Sequence, residues 1–156
     1  MREYIQAVSQ EHYQAAAFLF KEYAEWLNIN LSFQHFDEEL QQLQNMYTLP
    51  HGGIILCRDK HIFIGCVGIR KITEEIAELK RMYVLPAYQG KGIGNEILNQ
   101  ALLLAKKCGY NTVRLDTLKT MLPAMNLYSK NGFKEINAYY HNPIDTVVYF
   151  EKYLPD

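Results

Sequence analysis

The residues best placed to do chemistry stand in one short run, Gln89-Gly90-Lys91-Gly92-Ile93-Gly94-Asn95. It follows a strand-like segment and opens a segment of helical period. Three of the chain's nine glycines fall within residues 90–94. Glycine tolerates positive φ and lets backbone come close to a ligand. A turn of this kind at a helix N-terminus presents unpaired N–H groups and the positive end of the helix dipole, which favour an anion. Lys91 adds a formal charge. The inference is a phosphate-binding turn between a strand and a helix. It is not a P-loop, which needs four residues between its glycines and Lys-Ser/Thr after the second. The dinucleotide fingerprint G-x-G-x-x-G is nearer. Gly90 and Gly92 fit it and Asp116 follows at roughly the 20-residue spacing it asks for, but Asn95 stands where its third small residue belongs. A third pattern, Gln-x-x-Gly-x-Gly, is met by Gln89, Gly92 and Gly94.

The elements that must position this turn can be read in order. Residues 4–8 read as a first strand, with Ser9 able to cap the helix that follows. Ala15, Phe18, Leu19, Tyr23, Trp26 and Leu27 recur at helical spacing and predict its core-facing stripe. A loop over residues 28–36 leads to a second short helix reaching Tyr47, with Leu40 and Leu43 inward. Residues 54–58 and 61–70 form a hairpin across Asp59-Lys60. Gly65 and Gly68 within it mark a bulge or a close approach. Residues 76–84 pair next, antiparallel, and Pro86 ends that strand. Alternation places Glu78 on one face with Lys80, Met82 and Val84. Ile93, Ile97, Ala101, Leu104, Ala105 and Cys108 make one face of a long helix that Gly109 stops. Residues 112–118 form a strand, and strand–helix–strand implies a parallel pair. Pro123 suits the first turn of a last helix ending at Asn131-Gly132. Residues 133–138 and 146–154 close the chain as strands.

Composition bounds the function. At 156 residues one domain, residues 1–156, is expected. Sixteen basic against seventeen acidic residues give a net charge of −1, which argues against bulk attraction to nucleic acid or an anionic membrane. Cys57, Cys66 and Cys108 form no C-x-x-C or zinc spacing, and an odd, sparse set fits a reduced, cytoplasmic protein. His12, His35, His51, His61 and His141 show no ligand spacing, so no metal is expected. No apolar run approaches the ~18 residues of a membrane span and no signal-peptide core is present.

Two motifs and the element order carry a resemblance. The segment Leu127-Tyr128-Ser129-Lys130-Asn131-Gly132-Phe133 resembles the Leu-Tyr-x-Lys-x-Gly-Phe segment of the GCN5-related N-acetyltransferase (GNAT) family. The Gln89–Asn95 turn resembles that family's pyrophosphate loop. The order β-α-α-β-β-β-α-β-α-β-β, an α/β fold with a mixed sheet, is the family's. The resemblance spans residues 54–154. It implies an acetyl-CoA-dependent N-acetyltransferase acting on a primary amine by direct transfer in a ternary complex, no cysteine being placed as an acyl carrier.

An alkyl amine with a pKa near 10.4 is only about 10⁻³ neutral at pH 7, so a base, direct or through water, helps the reaction. By the resemblance, Glu78, eleven residues before Gln89, is the candidate base. Tyr128 is the group facing the thioester sulfur. Its reference pKa near 10 against about 8.5 for a thiol favours a hydrogen bond to the thiolate over full proton transfer. The backbone of Met82, Tyr83 and Val84 would pair with the pantetheine arm where the sheet splays, and an N–H there would be the oxyanion donor. Gln89, Gly90, Lys91, Gly92, Ile93, Gly94 and Asn95 would hold the pyrophosphate, with Asn126 and Lys130 as further cofactor contacts. Some relatives carry an Asn seven residues before the tyrosine; here that position is Met121. The acceptor side would be lined by Tyr23, Trp26, Phe33, His35, Arg70, Lys80, Arg114 and residues 139–142, with Tyr139 and Tyr140 foremost. Cations there suit a small carboxylate-bearing amine. The partners expected are that small molecule alone, with no nucleic acid and no membrane, the protein being a monomer or homodimer. The rivals are an acyl-CoA-binding sensor of the same fold, which would be indifferent to Tyr128→Phe, and a dinucleotide-dependent oxidoreductase.

Overall fold

Strand β4 (Ile76–Val84) is paired along one side and only partly along the other, and this difference organises the sheet. The computed structural model describes residues 1–155, with the backbone alone at Phe33. Strands β1 (Arg2–Gln6), β2 (Gly53–Asp59) and β3 (Ile62–Lys71) lead to β4 as successive antiparallel neighbours. β5 (Thr112–Leu118) lies parallel to β4 but pairs with it only from Ile76↔Thr112 to Glu78↔Arg114. Beyond Glu78 the two strands part. β7 (Val147–Tyr153) pairs antiparallel with β5, and the short β6 (Lys134–Ile136) edges it, giving the order β1-β2-β3-β4-β5-β7-β6. The expected mixed α/β order is observed, with β6 half the length the sequence suggested.

One face of the sheet carries α4 (Ile93–Lys107) and α5 (Leu122–Lys130). Ile93, Ile97, Ala101 and Leu104 pack there against Ile55, Ile64, Val67, Leu79 and Val113. The other face carries α1 (Gln10–Leu27), α2 (Phe36–Gln41) and α3 (Leu43–Met46). Ser9 caps α1 as expected, its hydroxyl accepting from the His12 amide, while His12 Nδ1 accepts from the Ser9 amide in return. The buried stripe of α1 differs from the one read in the sequence: Tyr13, Ala16, Leu19 and Phe20 face inward, and Phe18 points to solvent. The second helix is broken at Gln42, and its buried residues include a carboxylate, Glu39.

β4 itself departs from simple alternation. Cys66 faces Tyr83 and Gly68 faces Lys80, so Arg81 and Met82 together oppose Val67 alone. Arg81 takes the left-handed conformation at φ 60°, the mark of a bulge. Glu78 and Lys80 therefore share a face, but Met82 and Val84 do not join them; they pack with Ala77 and Leu79 on the α4 side. The expectation that all four share a face is corrected by this one extra residue. Gly68 serves the same region by close approach: a Cβ there would come 2.6 Å from the ring of the fully buried Tyr47. No helix among the described residues is long and apolar enough to cross a membrane.

Candidate active site

Where β4 and β5 part, a groove of about 490 Å³ runs from the glycine turn along β4 to α5. Met82, Tyr83 and Val84 form one wall, and Met121, Ala124 and Leu127 the other. The turn closes its end. Gly90 and Gly92 adopt φ of 78° and 82°, which only glycine takes without strain. Gly92 is the N-cap of α4 and offers no side-chain cap. The first helical hydrogen bond runs from the Glu96 amide to the Gly92 carbonyl at 3.2 Å, so the amides of Ile93, Gly94 and Asn95 lie ahead of it. Gln89 ties the turn to the strand, its Nε2 donating to the Val84 carbonyl at 2.8 Å. Asn95 accepts from Asn131 at 3.0 Å and links the start of α4 to the end of α5. The Ile93 side chain is core, so only its backbone faces the groove end. Lys91 stacks over the Tyr88 ring at 5.7 Å.

At the inner end of the groove lies a cavity of about 50 Å³ bounded by Tyr23, Lys80, Arg81, Met82, Asp116 and Tyr128. Tyr128 is buried, its ring held by Phe133 and Phe150. Its hydroxyl has no hydrogen-bond partner among the described residues and borders this cavity. Burial, reinforced by Tyr23 and Asp116, pushes its pKa well above the ordinary tyrosine value, so the group is a donor and not a source of protons. Burial likewise lifts Tyr23 to about 12.

A second cleft, also about 490 Å³, opens on the α1 face between α2, β4 and the β6–β7 connection. Glu78 lies in its floor, 4% exposed. Both its oxygens are engaged: Oε1 accepts from Arg70 Nε at 3.0 Å and Oε2 from the Tyr139 hydroxyl at 2.6 Å. Lys80 Nζ stands 3.9 Å from the same Oε1, beyond hydrogen-bond reach. Tyr140 donates to Asp116 and accepts from Asn142 and Gln34. Behind these lies a buried pair in which Arg81 donates twice to Glu39, at 2.9 and 3.2 Å, while Tyr47 adds a third bond at 2.9 Å. Burial alone would raise the Glu39 carboxyl; the Arg81 bonds and charge overcome it and hold it below the usual carboxylate range.

The structure brings the turn, Met82, Tyr83, Val84 and Tyr128 to one continuous groove and cavity. It separates Glu78 from Tyr128: they border different cavities, and Lys80 borders both. Trp26, expected on the acceptor side, lies in the groove instead, its ring 5.7 Å from that of Tyr83. Arg114 does not line the cleft; it pairs with Glu151 at 2.8 Å and stacks on Tyr139. Asn126 and Lys130 are exposed and off the groove lining. The side chain of Phe33 lies outside the described residues. The Glu39–Arg81 pair and the bond from Tyr140 to Asp116 are parts of the site that no sequence motif announces. The available signal was Lys80-Arg81, two adjacent cations inside an apolar strand. Alternation cannot bury both on one face; a bulge can. Among the described residues no three or more of His, Cys, Asp and Glu gather at metal-binding distance.

The sequence profile of the acetyltransferase (GNAT) family matches residues 20–133. An uncharacterized N-acetyltransferase of Schizosaccharomyces pombe is 39% identical over 133 residues, covering 84% of this chain and 82% of that protein. Among solved structures, an acetyltransferase of Streptococcus agalactiae superposes with a TM-score of 0.80 at 20% identity, covering 98% of each chain. The PaiA N-acetyltransferase of Thermoplasma acidophilum, solved in complex with coenzyme A, gives 0.73 at 22% identity over 98% of this chain and 99% of its own.

Proposed function

The chain belongs to the GNAT family of acetyltransferases, and from that premise we propose that it transfers an acetyl group from acetyl-CoA to the primary amine of a small carboxylate-bearing molecule, directly and within a ternary complex. One observation carries the cosubstrate: a row of uncapped helix amides closes a groove whose walls are apolar and whose inner end meets the Tyr128 hydroxyl. A pyrophosphate suits the amides. A pantetheine arm suits the strand edge that β5 leaves unpaired beyond Glu78. Tyr128 then donates a hydrogen bond to the departing sulfur. Its raised pKa suits donation and disfavours giving up the proton.

The acceptor belongs in the polar cleft. Arg70 lines the cleft and gives Nε to Glu78, and its remaining guanidinium N–H groups are the place for a carboxylate. From there an amine points past Lys80 toward the small cavity. Glu78, with Arg70 on one oxygen and Tyr139 on the other, holds this wall in place. Direct transfer is favoured by the cysteines. Cys66 is buried, donates to the Arg81 carbonyl at 3.3 Å, and has its thiol pushed up by burial; neither Cys57 nor Cys108 lines the groove.

The test is calorimetric titration with acetyl-CoA and with NADPH, followed by a thiol-release screen of amino acids against their carboxamides. Acetyl-CoA binding without NADPH binding, and faster release with the acids, is the expected result. Failure of acetyl-CoA to bind at millimolar concentration sinks the whole reading. Carboxamides that match their acids sink the carboxylate part alone.

A further inference from the structure

Three cavities in series leave one residue at the junction that matters. The small Tyr128 cavity shares Met82, Met121 and Ala124 with the groove, and it shares only Lys80 with the acceptor cleft. An amine passing from the cleft to a thioester in the groove must pass this side chain. Lys80 is 9% exposed in its side chain and makes no hydrogen bond among the described residues. Its nearest carboxylate oxygen, Glu78 Oε1, is already taken by Arg70. We propose that Lys80 is the proton acceptor of the reaction: its uncharged ε-amino nitrogen takes the proton that the acceptor nitrogen sheds on bonding to the acetyl carbon. The inference rests on the acetyltransferase reading above and assigns its base to Lys80 in place of Glu78.

The step balances. The acceptor's neutral amine forms a C–N bond to the acetyl carbon, and the C–S bond breaks with its electron pair going to sulfur. Lys80 receives one proton from the nitrogen. The thiolate, held by the Tyr128 hydroxyl, gains a proton from the Lys80 ammonium, or from solvent while the Lys80 ammonium gives its own proton to solvent. One amine and one thioester become one amide and one thiol, and Lys80 is returned uncharged.

The surroundings fit a lysine that is uncharged part of the time. The charges facing it are Glu78 and Arg81 from β4, Arg70 from β3, Glu39 from α2 and Asp116 from β5. Tyr23, Tyr128 and Tyr139 face the same space as hydroxyls whose pKa values are raised. Glu38, His35 and His141 sit exposed at the cleft rim. Burial, then Arg81, brings Lys80 down to about 8 against the pull of Glu78. A base in that range is matched to neutral or mildly alkaline pH. Glu78 is the poorer candidate because each of its oxygens already accepts a bond from a side chain.

Two measurements test this. In protein labelled with ¹³C at lysine Cε, the resonance missing from Lys80→Arg is titrated. A midpoint near 8 is expected; one near the ordinary lysine value of about 10.4 overturns the proposal. In the second, hydroxylamine, an amine uncharged through the neutral and alkaline range, serves as probe acceptor at saturating acetyl-CoA. Lys80→Arg and Lys80→Met should each lower kcat by about 10²–10³-fold and abolish the rise in rate through the lysine midpoint. Acetyl-CoA affinity by calorimetry should stay within about twofold, showing an intact fold. A Lys80→Arg protein within about threefold of the parent, with the same pH limb, overturns the assignment. Failure of the underlying reading looks different: the parent itself then neither binds acetyl-CoA nor releases thiol at any pH.

Discussion

The groove and the cleft have equal volumes, about 490 Å³ each, and opposite construction. The groove is made of backbone and apolar side chains, and its polar end is a short row of helix amides, those of Ile93, Gly94 and Asn95. The cleft is made of polar side chains from α2, β3, β4 and the β6–β7 connection, with Glu78 held by Arg70 and Tyr139 and Glu39 held by Arg81. A site built from backbone tolerates many side chains but demands a conformation. A site built from a buried ion network demands identities, because removing one partner leaves the other charged and unsolvated. The two regions should therefore fail differently under mutation: the cleft by unfolding or mis-set charge, the groove by graded loss of affinity.

The largest effect should come from the network behind the cleft. Arg81→Met leaves Glu39 buried with only Tyr47 as partner, and breaking a buried pair costs about 3–5 kcal/mol. Urea unfolding at neutral pH reads this directly. In the parent, Glu39 is held below the usual range, so its contribution is present above the unfolded carboxyl value and lost as pH falls through the folded one. In Arg81→Met burial outweighs what remains and raises Glu39. Acid then relieves the variant while weakening the parent, and the gap between them narrows. A gap that widens in acid contradicts this account of the pair.

Next in size is Tyr128→Phe. A hydrogen bond to a developing anion is worth roughly 1.5–3 kcal/mol, so kcat should fall about 10- to 100-fold. Acetyl-CoA affinity should hold, because the lost hydroxyl has no partner in the resting protein. An unchanged kcat would hand the site to the sensor reading. Smaller again is Gly92→Ala. A Cβ there meets nothing within 4 Å, so the only cost is the left-handed φ of 82°. That costs about 1–2 kcal/mol, which should appear as about 5- to 30-fold weaker acetyl-CoA binding. If acceptor kinetics moved instead, the turn would not be the cofactor's.

These contrasts also mark what the sequence could and could not say. The turn, α4 and Tyr128 were legible because each depends on residues close in the chain: glycines, a helical period, a seven-residue motif. The range of β4 was legible as well, and its facing was not. A single residue of bulge at Arg81 reverses which side chains share a face, and nothing local forces it. The bulged Arg81 pairs with Glu39, 42 residues earlier, a buried carboxylate that Tyr47 also bonds. Arg114 misled for the same reason. Its charge on β5 is real, but its partner Glu151 lies 37 residues on and draws it away from the cleft.

Trp26 gives the finest test of the division between the regions. Its place near the end of α1 suggested the acceptor side, yet it is 45% exposed on the groove wall against Tyr83. Trp26→Ala removes part of an apolar wall and no hydrogen bond among the described residues, a loss on the order of 1 kcal/mol for a half-buried ring. Acetyl-CoA should bind about fivefold more weakly while the acceptor KM holds. The opposite pattern, an intact acetyl-CoA affinity with a raised acceptor KM, would move α1 to the cleft in function. The boundary between the two regions would then lie beyond Trp26, and Lys80 would no longer be the residue at which they meet.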